Sequence, residues 1–296
     1  MIEIPQQLDR RWRKTTKGAA WLDRLPAVVA ELADRWALEI GEPFEGSNVS
    51  LAVRVERPGG ERAVLKVNFP DRETEHEADA LALWNGLGAA RLLDCADDLG
   101  ALLVERLEPG TELWAVDNED EANEIAAEVL RTLRREVGED KPFHPLAVEA
   151  ARWAEEIPAR WEGLGRPFER RLVEEMVAAV GDLLGDQPAP VLLHQDFHGG
   201  NVLLSGGEWR AIDPKPLAGD PAFDTASVLR DRRESLRDDP RAERRVRRRL
   251  DLLSEALELD RERMRQWGIV HALAWGVNDN GWHESHIACA RMLSQS

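Results

Sequence analysis

Apolar and polar residues alternate along Leu51-Ala52-Val53-Arg54-Val55-Glu56, a period of two that predicts a half-buried strand. The turn Pro58-Gly59-Gly60 and the run Ala63-Val64-Leu65-Lys66-Val67 complete a β-hairpin. Pro70 ends the second strand, and Asp71 and Arg72 open a helical stretch through Trp84 with Ala78, Leu81 and Ala82 at helical spacing. Arg91 to Cys95 and Ala101 to Glu105 predict a second strand pair around Asp97-Asp98-Leu99-Gly100. Leu107-Glu108-Pro109-Gly110 then breaks the pattern and suggests a division into residues 1–107 and 108–296.

Beyond that break the period changes to that of helices. Glu119 to Val137, Pro145 to Glu156 and Phe168 to Leu184 predict three of them, the last stopped by Pro188 and Pro190. Val191-Leu192-Leu193 reads as a short buried strand. Val202-Leu203-Leu204, Ser205-Gly206-Gly207 and Trp209-Arg210-Ala211-Ile212 make another hairpin, and helices resume at about Phe223. A β-rich half followed by a helical half gives an α+β chain in two lobes.

Composition narrows the class. With 43% hydrophobic and 32% charged residues, the chain reads as a globular protein. A formal net charge of −17 argues against nucleic acid as a partner and suits a cationic small molecule. No apolar run approaches the length of a membrane span, and the charges scattered over Met1 to Leu22 do not form a signal peptide, so a cytoplasmic location is expected. Cys95 and Cys289 are expected as reduced thiols. The basic stretch Arg241 to Arg249 reads as a solvated helix face. His198, His271, His283 and His286 fit no metal spacing.

The chemistry concentrates in His194-Gln195-Asp196-Phe197-His198-Gly199-Gly200-Asn201, an H-x-D-x-x-x-x-N loop after a buried strand. Phosphoryl transfer needs a carboxylate to orient and deprotonate an acceptor hydroxyl, and an oxygen ligand for Mg²⁺ nearby. Asp196 is the expected base, Asn201 the expected metal ligand, and Gly199 and Gly200 are expected to permit sharp backbone turns. Asp213, at the end of the following hairpin, is the second expected metal ligand. The chain has only five lysines against abundant arginine, yet places Lys66 within a strand and Lys215 beside Asp213, where a compact ammonium suits phosphate. Glu77 is the expected partner of Lys66, with Glu73 and Glu75 as competitors. Ser47 and Asn48 precede the first hairpin, where donors to nucleotide phosphates belong, although no glycine-rich phosphate motif is present. Among eleven tryptophans, Trp275 and Trp282 lie near Asp279 and Glu284 and suggest an acceptor pocket.

These residues carry a family likeness. The run from Leu193 to Leu203, followed by Ala211-Ile212-Asp213-Pro214-Lys215-Pro216-Leu217-Ala218-Gly219-Asp220-Pro221-Ala222-Phe223-Asp224, resembles the aminoglycoside phosphotransferases. The Ile-Asp-Pro-Lys-Pro form, together with Leu65-Lys66-Val67 and His76-Glu77-Ala78, resembles the streptomycin 6-phosphotransferase and hydroxyurea phosphotransferase branch. The resemblance implies a protein-kinase-like fold with ATP between a small β-rich lobe and a helical lobe. It implies that Lys66 and Glu77 serve the phosphates, that the hinge from Glu105 to Leu107 holds adenine, and that Asp220 and Asp224 support the loop. It implies an ATP- and Mg²⁺-dependent O-phosphotransferase, with streptomycin or another aminocyclitol as acceptor; a monomer or homodimer is expected. An ordinary sugar or amino sugar as acceptor, or a catalytically silent nucleotide-binding protein, are the competing expectations.

Overall fold

Burial of apolar positions at helical spacing begins earlier than the strand reading suggests. In the computed structural model, which describes all residues but 1, 47, 139 and 238 and only the backbone of 237, two helices precede any strand. They are α1 (Gln6–Trp12) and α2 (Thr16–Trp36), neither of which the hydrophobic pattern predicts. Leu22, Leu25, Val29 and Leu32 form the buried stripe of α2, and the Thr15 side chain caps its first turn by accepting from the Gly18 N–H. Pro26 inside the helix and the charges around it obscure this period.

Contacts divide the chain into residues 1–110 and 111–296. The first unit holds an antiparallel sheet of β1 (Glu39–Pro43), β2 (Ser50–Arg57), β3 (Glu61–Asn68), β4 (Leu92–Ala96) and β5 (Ala101–Glu105), in the order β1-β2-β3-β5-β4. Register pairs Val53 with Leu65 and Leu65 with Leu103, so one sheet face delivers Leu51, Val53, Val55, Ala63, Leu65 and Val67 to the stripe of α2. Period two turns Lys66 to the opposite face. There α3 (Glu77–Trp84) begins, later than the expected start at Asp71. The Asp71 carboxylate accepts from the Glu73 N–H, and the Thr74 hydroxyl donates to the Phe69 carbonyl, so residues 71–76 are held as turns.

Strand β6 (Pro109–Glu112) leads into the second unit, where helices dominate: α4 (Glu119–Leu133), α5 (Leu146–Gly163), α6 (Arg170–Gly185), α7 (Thr225–Leu229), α8 (Arg233–Arg237), α9 (Ala242–Leu257), α10 (Arg261–Gly276) and α11 (Glu284–Ser294). Asn118 caps α4 by accepting from the Asp120 and Glu121 N–H groups, and three acids fill its first turn, where the helix dipole favours them. The helix stops at Leu133 and not at Val137. Residues 134–137 are extended along the neighbouring strand: the Leu192 N–H donates to the Arg135 carbonyl, and the Val137 N–H to the Pro190 carbonyl.

The basic stretch is not simply a solvated face. Arg245 and Arg249 on α9 both pair with Glu119, and Arg248 pairs with Asp120, so the arginines clasp α9 to α4. Arg249 is buried and also donates to the carbonyls of Leu229 and Asp231.

Short strands frame the loop of interest. Strand β8 (Val191–Leu193) enters it, and the hairpin β9 (Val202–Ser205) and β10 (Glu208–Ala211) leaves it. Strand β11 (Leu217–Gly219) returns antiparallel to β8 and parallel to β7 (His144–Pro145). Beyond α10, β12 (Val277–Asn278) and β13 (Gly281–Trp282) form a minimal hairpin before α11.

Candidate active site

The H-x-D-x-x-x-x-N loop is built from below by a carboxylate. Asp224 is buried, and its two oxygens accept from the backbone N–H groups of His194 and Gln195, at 2.7 and 2.8 Å. Burial pushes its carboxyl up to about 6 against the opposing pull of those two donors. His194 is fully buried and donates from Nε2 to the Ile212 carbonyl, and burial lowers its imidazole to about 4. Gln195 adopts φ 66°, unusual for a residue with a side chain, and is held there by the Ser227 hydroxyl, which donates to its carbonyl.

The returning chain is stitched to this loop. The Ile212 N–H donates to the Asn201 carbonyl, and the Lys215 N–H to the His194 carbonyl. Asp213 sits between these two anchors at φ 59°, a second strained position beside the first. Asn201 donates from Nδ2 to the Asp196 carbonyl at 3.0 Å, which orients its amide so that Oδ1 is the end turned elsewhere.

Asp196 is largely buried, with Lys215 Nζ 3.1 Å from Oδ2 and His198 Nε2 3.9 Å from Oδ1. Burial pushes its carboxyl up, but Lys215, His198 and the buried Arg230 outweigh that and hold it well below the usual carboxylate range. Arg230 is itself lowered to about 10 by burial and donates from Nε to His271 Nδ1.

Asp196, Asn201, Asp213 and Lys215 therefore lie on one loop and the segment that returns beside it. Lys215 faces the carboxylate itself, which its sequence position does not disclose. In the first unit, Lys66 Nζ meets Glu77 Oε1 at 2.5 Å, and Asn68 Nδ2 donates to Glu77 Oε2 at 2.8 Å; all three are buried. Glu77, the first choice among the three competing acids, meets the lysine. Glu105 accepts through its carboxylate from the Arg91 N–H, and Leu107 is buried.

Asn48 accepts at Oδ1 from Gln7 Nε2, and its carbonyl accepts from Trp12 Nε1, both at 2.9 Å, which ties its loop to α1. Ser47 lies outside the described residues.

The expected acceptor residues are engaged internally. Asp279 pairs with Arg160 at 2.7 Å and Glu284 with Arg291 at 2.6 Å. Trp275 stacks on His271, with ring centroids 3.9 Å apart, and His271 in turn approaches the Gln195 carbonyl.

Two features escape the sequence reading. Gly199 and Gly200 are not at positive φ. They are glycine because Trp114 lies over them: a Cβ on either would fall 2.6 Å from its ring. Trp114 also stacks on His198 and donates to Asp231. No spacing rule connects residue 114 to a loop some eighty positions later, so only an unusual tryptophan content hinted at it.

A largely shielded carboxylate flanked by an ammonium, with an amide on the same loop and a second carboxylate on the returning chain, is an arrangement that suits a kinase-like phosphotransferase in an α+β fold. Solved structures agree on the fold. Choline kinase LicA from Streptococcus pneumoniae matches with a TM-score of 0.64 at 14% identity, covering 92% of this chain and 100% of that one. An aminoglycoside phosphotransferase in ternary complex with ADP and hygromycin B matches with a TM-score of 0.58 at 15% identity, covering 90% and 96%.

The family is narrower. Residues 35–286 match the family described as aminoglycoside/hydroxyurea antibiotic resistance kinase, and the chain belongs to it. It is similar to the streptomycin 6-kinase of Streptomyces glaucescens, at 38% identity over 94% of this chain and 92% of the relative. It is also similar to the hydroxyurea phosphotransferase of Kitasatospora aureofaciens, at 34% identity over 99% of this chain and 86% of the relative. Among the described residues no helix is long and apolar enough to cross a membrane.

Proposed function

We propose that this phosphotransferase moves the γ-phosphoryl group of ATP, with Mg²⁺, to a hydroxyl of an aminoglycoside or aminocyclitol such as streptomycin. The observation that carries the reading is the Asp196 carboxylate, largely shielded and flanked by Lys215, on a loop whose returning chain bears Asp213. The similarity to streptomycin 6-kinases over nearly the whole chain supports the acceptor.

The residues of this reading fall in both units. In the second, Asp196 accepts a hydrogen bond from the acceptor hydroxyl and aims its oxygen. A carboxylate held so far down is a weak base, so it orients first and takes the proton as the new bond forms. In the first, Lys66, braced by Glu77 and Asn68, presents a fixed ammonium to nucleotide phosphates. Asn201 Oδ1 and the Asp213 carboxylate are hard oxygen donors at the start and just past the end of the β9–β10 hairpin, the donor type that Mg²⁺ prefers. When bound there, the ion supplies charge neutralisation to the phosphates. Asn48 and the backbone from Glu105 to Leu107 are the remaining nucleotide contacts of this reading, and Trp275, Asp279 and Glu284 its acceptor side.

One observation favours a second acceptor class. Asp279 and Glu284 already pair with arginines, so a guanidinium-bearing antibiotic would have to displace one of them. That suits a neutral hydroxyl compound.

The test is transfer of label from γ-labelled ATP to streptomycin, hydroxyurea and a panel of neutral and amino sugars, with Asp196→Ala in parallel. Labelled streptomycin, lost in the variant, supports the proposal. Labelled sugar alone selects the second class. Binding of Mg-ATP with no labelled product from any acceptor points to a silent nucleotide binder. Near-parent transfer by Asp196→Ala overturns the assigned base.

A further inference from the structure

We propose that Trp114 is a positioning residue for this reaction, setting the His198 imidazole against Oδ1 of Asp196. The inference rests on the reading of Asp196 as the group that faces the acceptor hydroxyl.

Trp114 is 44% exposed, yet it is held from three sides. Its Nε1–H donates to Asp231 Oδ1 at 2.7 Å, and the other oxygen of Asp231 accepts from the Gly199 N–H at 2.8 Å. One carboxylate thus joins the indole to the catalytic loop. The next residue, Arg232, sits at φ 53° and donates to the carbonyls of Trp114 and Val116, at 2.9 and 2.7 Å. The segment 114–116 is thereby strapped across the loop. Beneath the indole, Gly199 and Gly200 leave the space that any side chain would take.

What the strap holds is a ring orientation. The indole and the His198 imidazole lie 8° from parallel with centroids 5.1 Å apart. The Gly200 N–H donates to His198 Nδ1 at 3.1 Å, so the ring proton sits on Nε2. That Nε2–H faces Asp196 Oδ1 at 3.9 Å, while Lys215 occupies Oδ2. The two carboxylate oxygens are therefore dressed differently, one by an ammonium and one by a neutral imidazole. Trp114 fixes the plane of that imidazole and so the direction from which Oδ1 is open to a hydroxyl.

The experiment compares the full chain with Trp114→Ala, Trp114→Phe and Asp231→Asn, using ATP and streptomycin, and follows the His198 ring nitrogens by ¹⁵N NMR. Trp114→Ala is expected to lower kcat roughly 10- to 100-fold with both KM values near parent, as misplacement of a reacting group does. It is also expected to remove the single Nε2–H tautomer signature of His198. Trp114→Phe, which keeps the stack, is expected to restore most of kcat and the signature. If Trp114→Ala does not fold, Asp231→Asn, nearly isosteric, is expected to show the same change in a folded chain.

A parent-like kcat in Trp114→Ala, a rise confined to the streptomycin KM, or an unchanged His198 spectrum each overturns the inference. Failure of the functional reading is separate: it appears as full activity in Asp196→Ala or no transfer to streptomycin, and the NMR arm does not depend on either.

Discussion

Lys215 places its ammonium 3.1 Å from Oδ2 of Asp196, with both side chains largely shielded from water. The lysine comes from the segment between β10 and β11 that returns past the loop. It keeps the carboxylate ionised and blocks one of its oxygens, leaving the other for an incoming hydroxyl. In the proposed reaction the same ammonium would follow charge as it develops on the transferred group.

Lys215→Ala is therefore expected to lower kcat by roughly 100-fold, with a smaller effect on the ATP KM, because the charge acts where the reaction occurs. Steady-state kinetics with labelled ATP measures it. A loss seen only in the ATP KM would place the lysine on the ground-state nucleotide instead.

The buried Lys66–Glu77 pair makes a prediction about stability. Glu77→Ala strands an ammonium and the Asn68 amide in the interior and is expected to cost about 3–5 kcal/mol in chemical denaturation. Replacing both charges, as in Lys66→Met with Glu77→Leu, is expected to recover much of that loss. The double variant is nonetheless expected to lose Mg-ATP binding by calorimetry, which separates the structural role of the pair from its chemical one.

Asp224 predicts a pH dependence of stability. Its folded-state value of about 6 lies above the ordinary aspartate value, so the folded chain binds this proton more tightly than the unfolded one. The contribution is present below about pH 4 and is lost as pH rises through about 6, amounting to about 3 kcal/mol for two units. Urea titrations of the parent and Asp224→Asn across that window are expected to show the parent losing stability, relative to the variant, as pH rises. Parallel curves would mean that the two backbone donors, not burial, set the carboxyl.

Much of this was legible in the sequence, for physical reasons. Strand β3 alternates because one sheet face is buried on α2, and that same period turns Lys66 away from the core. The Asp196–Asn201 spacing is legible because a loop between two strands has few ways to aim two side chains. The α+β division and the kinase-like fold follow from the change of period near residue 107 and from the family resemblance. What was not legible depends on contacts distant in sequence. Trp114 meets Asp231 across 117 positions. Glu119 finds arginines 126 and 130 positions away. Helix α2 has a clear stripe, but Pro26 interrupts it and local rules stop a helix at proline.

Helix α1 supplies a prediction about the nucleotide. Gln7 and Trp12 hold both the amide and the carbonyl of Asn48, in a loop with no glycine-rich phosphate motif. Gln7→Ala and Trp12→Phe, each removing one hydrogen bond, are expected to raise the ATP KM several-fold, in line with about 1 kcal/mol per bond, and to leave the acceptor KM unchanged. Equal increases in both would show that α1 acts on overall stability.

The scarcity of lysine has a practical consequence for chemical modification. Lys14, Lys17 and Lys141 are exposed, whereas Lys66 is buried against Glu77 and Lys215 is shielded beside Asp196. An amine-directed reagent thus meets three expendable targets and two chemically meaningful ones, in a chain with no other lysines. Mass spectrometry of partially labelled protein reads the occupancy of each unit separately, Lys66 reporting on the first and Lys215 on the second, without a substitution or a fluorophore.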